Sequence, residues 1–154
     1  MQPRIGAISL GVADLERSLA FYRDGLGFPT EGIVGEEFEN GSVVFIDLEG
    51  GMRLVLWPLD SMRAESGAVV GGAPTMTLGY MTANHDDVDT VMAHARRAGA
   101  HIVKEGVEMA WGGYSGYFSD PDGHLWEVVW IPEDQGWIDG RFVGTQTSGE
   151  QSHE

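Results

Sequence analysis

The chain has no cysteine and few basic residues, and each shortage removes classes of function. Without cysteine there can be no disulfide, no thiolate nucleophile and no cysteine-ligated zinc. Only 9 Lys and Arg residues stand against 24 Asp and Glu, which gives a net charge of −15 at pH 7. Such an acidic protein cannot neutralise a phosphate backbone, so nucleic acid is excluded as a partner and an anionic membrane surface is disfavoured.

Long apolar runs are absent as well. No segment approaches the run of about 18 apolar residues that a membrane-spanning helix needs. The start of the chain, MQPRIGAISLGV, lacks the charged and apolar regions of a signal peptide, so a cytoplasmic protein is expected. At 154 residues and 42% hydrophobic content, the chain is predicted to form a single domain with its own core.

Glycine is abundant, at 23 residues, and it separates short apolar runs in the manner of turns between strands. In the first half, residues 7–12 alternate with a period of two and predict a strand. Asp14 is placed to cap a helix over residues 15–27. Two further strands, 41–48 and 52–58, are predicted on either side of a Glu-Gly-Gly turn.

The second half repeats this order. A strand over residues 75–82 precedes a helix capped by Asp86 or Asp87, and strands follow that helix around an Asp-Pro-Asp-Gly turn. The predicted fold class is therefore α+β, with two β-α-β-β-β modules. We expect a single domain over residues 1–132, with modules at about 4–60 and 74–132 and a connector at 61–73. Residues 133–154 form an extension whose polar end is expected to be disordered.

Two segments carry a resemblance to a known family. These are LGVADLERSLAFYRDGLGF in the first half and WGGYSGYFSDPDGHLWEVVW in the second. With them, the chain over about residues 4–132 resembles the vicinal oxygen chelate superfamily. That superfamily includes glyoxalases, extradiol dioxygenases, fosfomycin-inactivating transferases and bleomycin-binding proteins. The resemblance implies two modules whose sheets curl around a shared cleft, with the helices outside.

The resemblance also implies four positions for the ligands of a divalent metal. Here they carry Ala7, Val55, Tyr80 and Glu127, with Thr77 or Leu78 as alternatives to Tyr80. Only Glu127 suits a catalytic metal, whereas a zinc site generally has three protein ligands and a non-haem iron site needs two histidines and an acid. We therefore expect no metal and no other cofactor, and a divalent metal is the alternative.

Glu127 interrupts the apolar run LWEVVW, and a carboxylate there must be paired or bind a cation. Strand alternation predicts that Glu127 faces the cleft with Leu125 and Val129, and that Trp126, Val128 and Trp130 pack beneath the helices. By the repeat, Arg53, Val55 and Trp57 face the cleft in the first module. The small residues Ala7, Ser9 and Gly11 should give the cleft room.

Aromatic residues near this acid predict a binding site for a flat or cationic small molecule. At least two of the following are expected to line the cleft with Glu127: Trp57, Tyr80, Trp111, Tyr114 and Tyr117. Among the histidines, His124 is interpreted as a structural residue of the turn. His85 is interpreted as a loop residue, with ligand contact as the alternative.

The sequence thus favours a protein that binds a small organic ligand between its modules without a metal. It would act as a homodimeric binder similar to the bleomycin-binding proteins, or as a metal-free enzyme with Glu127 as a general base of raised pKa. The alternative is a metal-dependent, glyoxalase-like lyase or dioxygenase. A third hypothesis is a vestigial cleft on a protein that works through a partner surface.

Overall fold

Strands and helices follow one another in the predicted β-α-β-β-β order in each half of the chain. The computed structural model describes residues 1–72 and 74–144, so the tail expected beyond Gly144 lies outside the described residues. The first module comprises β1 (Ala7–Val12), α1 (Leu15–Leu19), β2 (Ile33–Val34), β3 (Val43–Asp47) and β4 (Arg53–Pro58). The second comprises β5 (Thr77–Met81), α3 (Asp87–Arg97), β6 (His101–Glu108), β7 (Tyr114–Ser119) and β8 (Leu125–Trp130). The predicted fold class is confirmed.

Each module contributes a mixed sheet of four strands. The strand orders are β1-β4-β3-β2 and β5-β8-β7-β6, with the first and last strands of each module parallel and the other pairs antiparallel. The two sheets have equivalent registers. Ser9 pairs with Val55 in the first sheet, and Gly79 pairs with Glu127 in the second.

The hydrophobic core is continuous through both modules. In the first module, Leu54 and Leu56 lie on the face of β4 that packs towards α1, and in the second, Trp126 and Val128 lie on the matching face of β8. Helix α3 covers the second sheet with the apolar face that its sequence predicts. Its buried residues are Val88, Met92 and Ala95.

The first helix widens after one α-helical turn and continues as a π-helical segment over Ala20–Gly25. The Asp14 carboxylate accepts a hydrogen bond from the Arg17 amide (3.1 Å) and caps the start of α1, as predicted. The π-helical turn is closed by the Leu26 amide, which donates to the carbonyl of Phe21. The segment buries two consecutive aromatic residues, Phe21 and Tyr22, in the core.

The Asp-Pro-Asp-Gly turn is attached to the first module through a buried network. The Tyr22 hydroxyl donates to Asp120 (2.7 Å) and accepts from the Trp126 indole (3.2 Å). The second oxygen of Asp120 accepts from the amides of Asp122 and His124, both at 2.9 Å. Burial, and then the charge of Asp120, raise the pKa of Tyr22 far above its ordinary value, so this hydroxyl remains a donor.

Asp122 makes the second attachment between the modules. Its Oδ1 accepts from the Ala13 amide (2.8 Å) and from the Arg17 guanidinium (3.1 Å), and its Oδ2 accepts from the Ser18 hydroxyl (3.1 Å). The carboxylate therefore lies at the N-terminus of α1, where a negative charge is favourable. The turn between β7 and β8 is thereby bound to the start of the first helix, which belongs to the other module.

The connector contains a helix that the sequence analysis missed. Helix α2 (Leu59–Ser66) follows β4 directly and ends at Gly67, which has φ +69°. The extension after β8 is also structured, because Trp137–Ile138 (β9) and Arg141–Phe142 (β10) pair as a hairpin. In residues 1–72 and 74–144, no helix is both long and apolar enough to cross a bilayer.

We expect Asp122→Ala to lower the free energy of unfolding by about 1–3 kcal/mol, because it removes three hydrogen bonds between the modules and leaves the buried Ser18 hydroxyl without its acceptor. Urea denaturation followed by circular dichroism measures this change. Asp60→Ala is the control, since the Asp60 side chain is 95% exposed and makes an ion pair with Arg63. Its loss should stay within about 0.5 kcal/mol. Equal losses in the two variants would contradict the role of Asp122 in attaching the two modules.

Candidate ligand site

Glu127 has a hydrogen-bonding partner on the neighbouring strand. Tyr117 lies opposite Glu127 in the β7–β8 register, and its hydroxyl donates to the Glu127 carboxylate. Both side chains are half-buried on the sheet face that does not pack on α3. The hydrogen bond to Glu127, together with burial, raises the pKa of Tyr117 to about 12. The carboxylate in the apolar run is thus satisfied within its own sheet.

The matching registers correct the expected position of Tyr80. Ala7 pairs with Arg53, which lies two residues before Val55. Thr77 pairs with Leu125, which lies two residues before Glu127, so Thr77 is the counterpart of Ala7. Tyr80 instead pairs with Val128. It therefore lies on the opposite face from Glu127, because successive side chains of a strand alternate between faces.

The family's divalent ion does not fit the residues at these positions. Ala7 and Val55 have no metal-binding atoms in their side chains, and Thr77 is a poor ligand for a catalytic metal. Glu127 is the one strong donor of the set, and it accepts a hydrogen bond from Tyr117. In the part of the chain that the structure describes, no three His, Asp or Glu side chains are grouped so that they could hold an ion.

The expected aromatic residues are not gathered into one cluster. Tyr117 lies on the face of Glu127, and Trp57 lies on the matching face of the first sheet, opposite Gly11. The Trp57 indole donates to the carbonyl of Asn40 (3.1 Å). Trp111 lies in the turn between β6 and β7, and its carbonyl accepts from the Gln135 side chain (2.8 Å).

Tyr114 lies on the helix side of the second sheet, which corrects its expected place in the cleft. Its hydroxyl donates to Asp89 of α3 (2.9 Å), and its ring packs against His85 at an interplanar angle of 35°, with a centroid separation of 4.1 Å. The ring nitrogens of His85 contact Glu108 (2.6 Å) and Asp86 (3.1 Å). These hydrogen bonds, that to Glu108 first, raise the pKa of His85. His85 thus joins the start of α3 to β6.

A cavity of about 440 Å³ lies between the modules, beside the edge strands β1 and β5. Helix α2 and the segment after it form one wall, and the Asp-Pro-Asp-Gly turn closes one end. The lining residues are Ser9, Leu10, Gly11, Ala13, Leu59, Met62, Val70, Gly71, Gly72, Pro74, Thr75, Met76, Leu78, Asp122, Gly123, His124 and Leu125. Most of them are apolar or glycine.

Ser9 and Gly11 line this cavity, whereas Ala7, the third small residue expected to give the cleft room, does not. A Cβ atom at Gly11 would lie 2.6 Å from Cδ1 of Leu59, so the glycine lets this side chain of α2 lie against the strand. Leu125 lines the cavity and shares its face of β8 with Glu127, two residues further along the strand. The cavity therefore borders the face that carries Glu127 and Tyr117.

The charged and ring groups of the lining are engaged in holding the fold. Asp122 accepts the hydrogen bonds of α1, as described above. His124 donates from Nε2 to the carbonyl of Gly11 (2.8 Å), and because a carbonyl only accepts, that nitrogen carries the proton. The hydroxyls of Ser9 and Thr75 remain as polar groups within a largely apolar surface.

The Gly- and Ala-rich composition of the connector hides α2, the helix that forms one wall of the cavity, although its residues carry a helix signal. Leu59 and Met62 are spaced by three, Pro58 precedes them, and Gly67 follows at a typical helix C-terminus. The short length of the helix and its lack of buried residues made the hydrophobic pattern weak.

The paired β-α-β-β-β modules around an inter-module cleft define the fold class, and comparison with known proteins gives the family. The chain matches the Glyoxalase/Bleomycin resistance protein/Dioxygenase superfamily over residues 4–128 and belongs to it. No protein in the search of curated proteins matches the chain with significance.

Three solved structures are similar to this chain over most of their length. A glyoxalase-related enzyme from Fulvimarina pelagi has 27% identity and a TM-score of 0.78, with 94% of this chain and 99% of that chain covered. A lactoylglutathione lyase from Agrobacterium tumefaciens has 23% identity and a TM-score of 0.62 (84% and 95% covered). TnmS3, an antibiotic-binding protein from Streptomyces sp. CB03234, has 20% identity and a TM-score of 0.62 (85% and 98% covered).

We expect Glu127→Gln to lower the pKa of Tyr117 from about 12 towards the ordinary tyrosine value of about 10, because the charged acceptor is removed. The tyrosine ¹³Cζ signal followed by NMR between pH 8 and 13 measures this pKa. Glu105→Gln on strand β6 is the control and should leave the Tyr117 titration in place. An unchanged Tyr117 titration in Glu127→Gln would show that the two side chains are not paired in solution.

The donor set also predicts weak metal binding. Protein purified without chelator, then equilibrated with Zn²⁺, Mn²⁺ or Ni²⁺ and desalted, should contain well below one equivalent of metal by elemental mass spectrometry. One equivalent that disappears in Glu127→Ala would contradict this, since it would require ligands that these positions do not supply.

Proposed function

We propose that the protein binds a small, largely apolar organic molecule in the cavity between its two modules, without a metal ion. The observation that carries the proposal is the cavity itself, about 440 Å³ with walls from both modules and from α2. Ligand sites in proteins are concave, mainly apolar and of this order of size, with a few polar groups that orient the ligand.

The chemistry of the lining supports an apolar ligand. Leu59, Met62 and Leu125 supply apolar surface, and methionine adapts well to ligands of different shape. Asp122 and His124 are bound to other parts of the chain, so they are poorly placed to recognise a charged group. The hydroxyls of Ser9 and Thr75 would then orient a ligand through one or two hydrogen bonds.

Solved structures with the same fold support a ligand-binding role for this chain. TnmS3 is an antibiotic-binding protein with the same fold, and we infer a comparable binding role for this chain. The lactoylglutathione lyase shows that the same fold also hosts an enzyme. The metal positions of this chain favour the binding role, because their side chains offer a single strong donor.

Metal-free catalysis is the second candidate, and the position of Glu127 favours it. The carboxylate lies on the same face of β8 as Leu125, which lines the cavity, and it accepts a hydrogen bond from Tyr117. A ligand that extends along β8 from Leu125 would meet Glu127, which could then act as a general base. The homodimer and the cytoplasmic location expected from the sequence stay predictions.

The neutral dye N-phenyl-1-naphthylamine provides a probe for the cavity. We expect saturable binding of one dye molecule per chain, measured by fluorescence, and at least a tenfold loss of affinity in Ser9→Phe, which fills the cavity. Thr90→Phe, which adds the same ring on the exposed side of α3, should bind the dye as the wild type does. In methyl NMR, Met62 and Met76 should shift on binding, whereas Met92 in the core should not.

Undiminished dye binding by Ser9→Phe, or shifts confined to other methionines, would exclude the cavity as the site.

Catalysis is tested separately, on any ligand that co-purifies with the protein and is identified by mass spectrometry. If the wild type converts that ligand to a product and Glu127→Gln does not, metal-free catalysis is established. If the ligand is recovered unchanged from both the wild type and Glu127→Gln, binding remains the function.

A further inference from the structure

A second concave site lies on the first sheet, away from the inter-module cavity. On β3, Val44 and Ile46 face the core, so Phe45 and Asp47 face the other way. Arg53 pairs with Asp47 across the β3–β4 register and shares that face, which also carries Val55 and Trp57 and is the counterpart of the Glu127 face of the second sheet. Together with the loop that precedes β2, these side chains line a groove of about 500 Å³.

The loop that forms the groove wall is fixed to the sheet. The Thr30 hydroxyl donates to the carbonyl of Phe45 (2.6 Å) and accepts from the amide of Gly32 (3.2 Å). Gly32 has φ +89°, a conformation that favours glycine and completes this turn. The wall therefore keeps its position relative to Phe45 and does not have to be ordered by a ligand.

Arg53 is held in place at the floor of the groove. Its Nε donates to Asp47 (2.7 Å), and its guanidinium carbon lies 4.9 Å from the centre of the Phe45 ring. Among the hydrogen bonds of residues 1–72 and 74–144, its two terminal amino groups have no acceptor. With Nε bound to Asp47, the two terminal amino groups of Arg53 present a planar pair of donors, which suits the two oxygens of a carboxylate.

Apolar surface lies beside these donors. Val34 is 37% exposed and Phe45 is 38% exposed, and both line the groove together with Pro29. Asp47 balances the charge of Arg53, and Glu31 adds a further negative charge to the lining. A multiply charged anion such as phosphate is therefore disfavoured, whereas a single carboxylate on a flat apolar body gains both hydrogen bonds and apolar contact.

We propose that this groove binds small aromatic carboxylates, with the carboxylate on the terminal amino groups of Arg53 and the ring against Phe45 and Val34. The site is separate from the cavity between the modules. It shares with that cavity none of its lining residues. It therefore gives the protein a binding specificity for organic monoanions that the apolar cavity does not have.

The probe is 2-naphthoate, titrated into the full-length protein and followed by ¹H–¹⁵N NMR, with 2-naphthamide as its neutral counterpart. On addition of 2-naphthoate, we expect the largest shifts in the backbone amides of residues 30–34, 45–47 and 53. We expect 2-naphthamide to bind at least tenfold more weakly than 2-naphthoate. Arg53→Gln should reduce naphthoate affinity at least tenfold. Arg53→Lys should also weaken binding, because the charge remains and the planar pair of donors is lost.

Arg96→Gln is the matched control, since Arg96 is also exposed and is also paired with a carboxylate, that of Glu105. It should bind naphthoate as the wild type does, and inorganic phosphate should cause no shifts in the groove. Equal affinity for naphthoate and naphthamide, or unchanged binding by Arg53→Gln, would overturn the proposal. Shifts confined to residues 9–11, 62 and 125 would also overturn it, and would instead support the ligand cavity proposed above.

Discussion

The carboxylates of the Asp-Pro-Asp-Gly turn hold the two modules in one arrangement. Asp120 is buried and its charge is satisfied by the Tyr22 hydroxyl and by backbone amides of its own turn. Asp122 accepts hydrogen bonds from Ala13, Arg17 and Ser18 of the other module. Charged acceptors make stronger and more directional hydrogen bonds than neutral ones. Because the turn also closes the inter-module cavity, the same contacts that fix the module arrangement fix one end of that cavity.

Local patterns were sufficient to predict most of the fold. Alternation in residues 7–12, the apolar stripe of α3 and the capping Asp14 each depend on neighbours within a few positions, and the structure has all three. The same alternation correctly separated Trp126 and Val128 from Glu127. Rules of this kind work because strand and helix geometry relates side-chain direction to sequence spacing.

The candidate site was harder to predict, because it depends on register and on contacts across the chain. Spacing from Asp87 predicts a cleft position for Tyr80, but the loop before α3 is longer than its counterpart in the first half, and the β5–β8 register gives that position to Thr77. Tyr114 was grouped with Tyr117 by proximity in sequence, although an odd separation in a strand sends the two to opposite faces. The pairing of Tyr117 with Glu127 required the β7–β8 register, which no single segment contains.

The equivalent registers of the two sheets have a consequence for how a ligand lies in the protein. The backbone frame is nearly the same in both halves, but Val55 occupies in one half the place that Glu127 occupies in the other. Likewise, the strand that carries Val55 is followed by a helix, and the strand that carries Glu127 is followed by a hairpin. A molecule bound between the halves would thus meet chemically different ends, so a ligand whose own two ends differ has one preferred orientation. The similar backbones of the two halves form the enclosure, and their different side chains decide which way round a ligand lies in it.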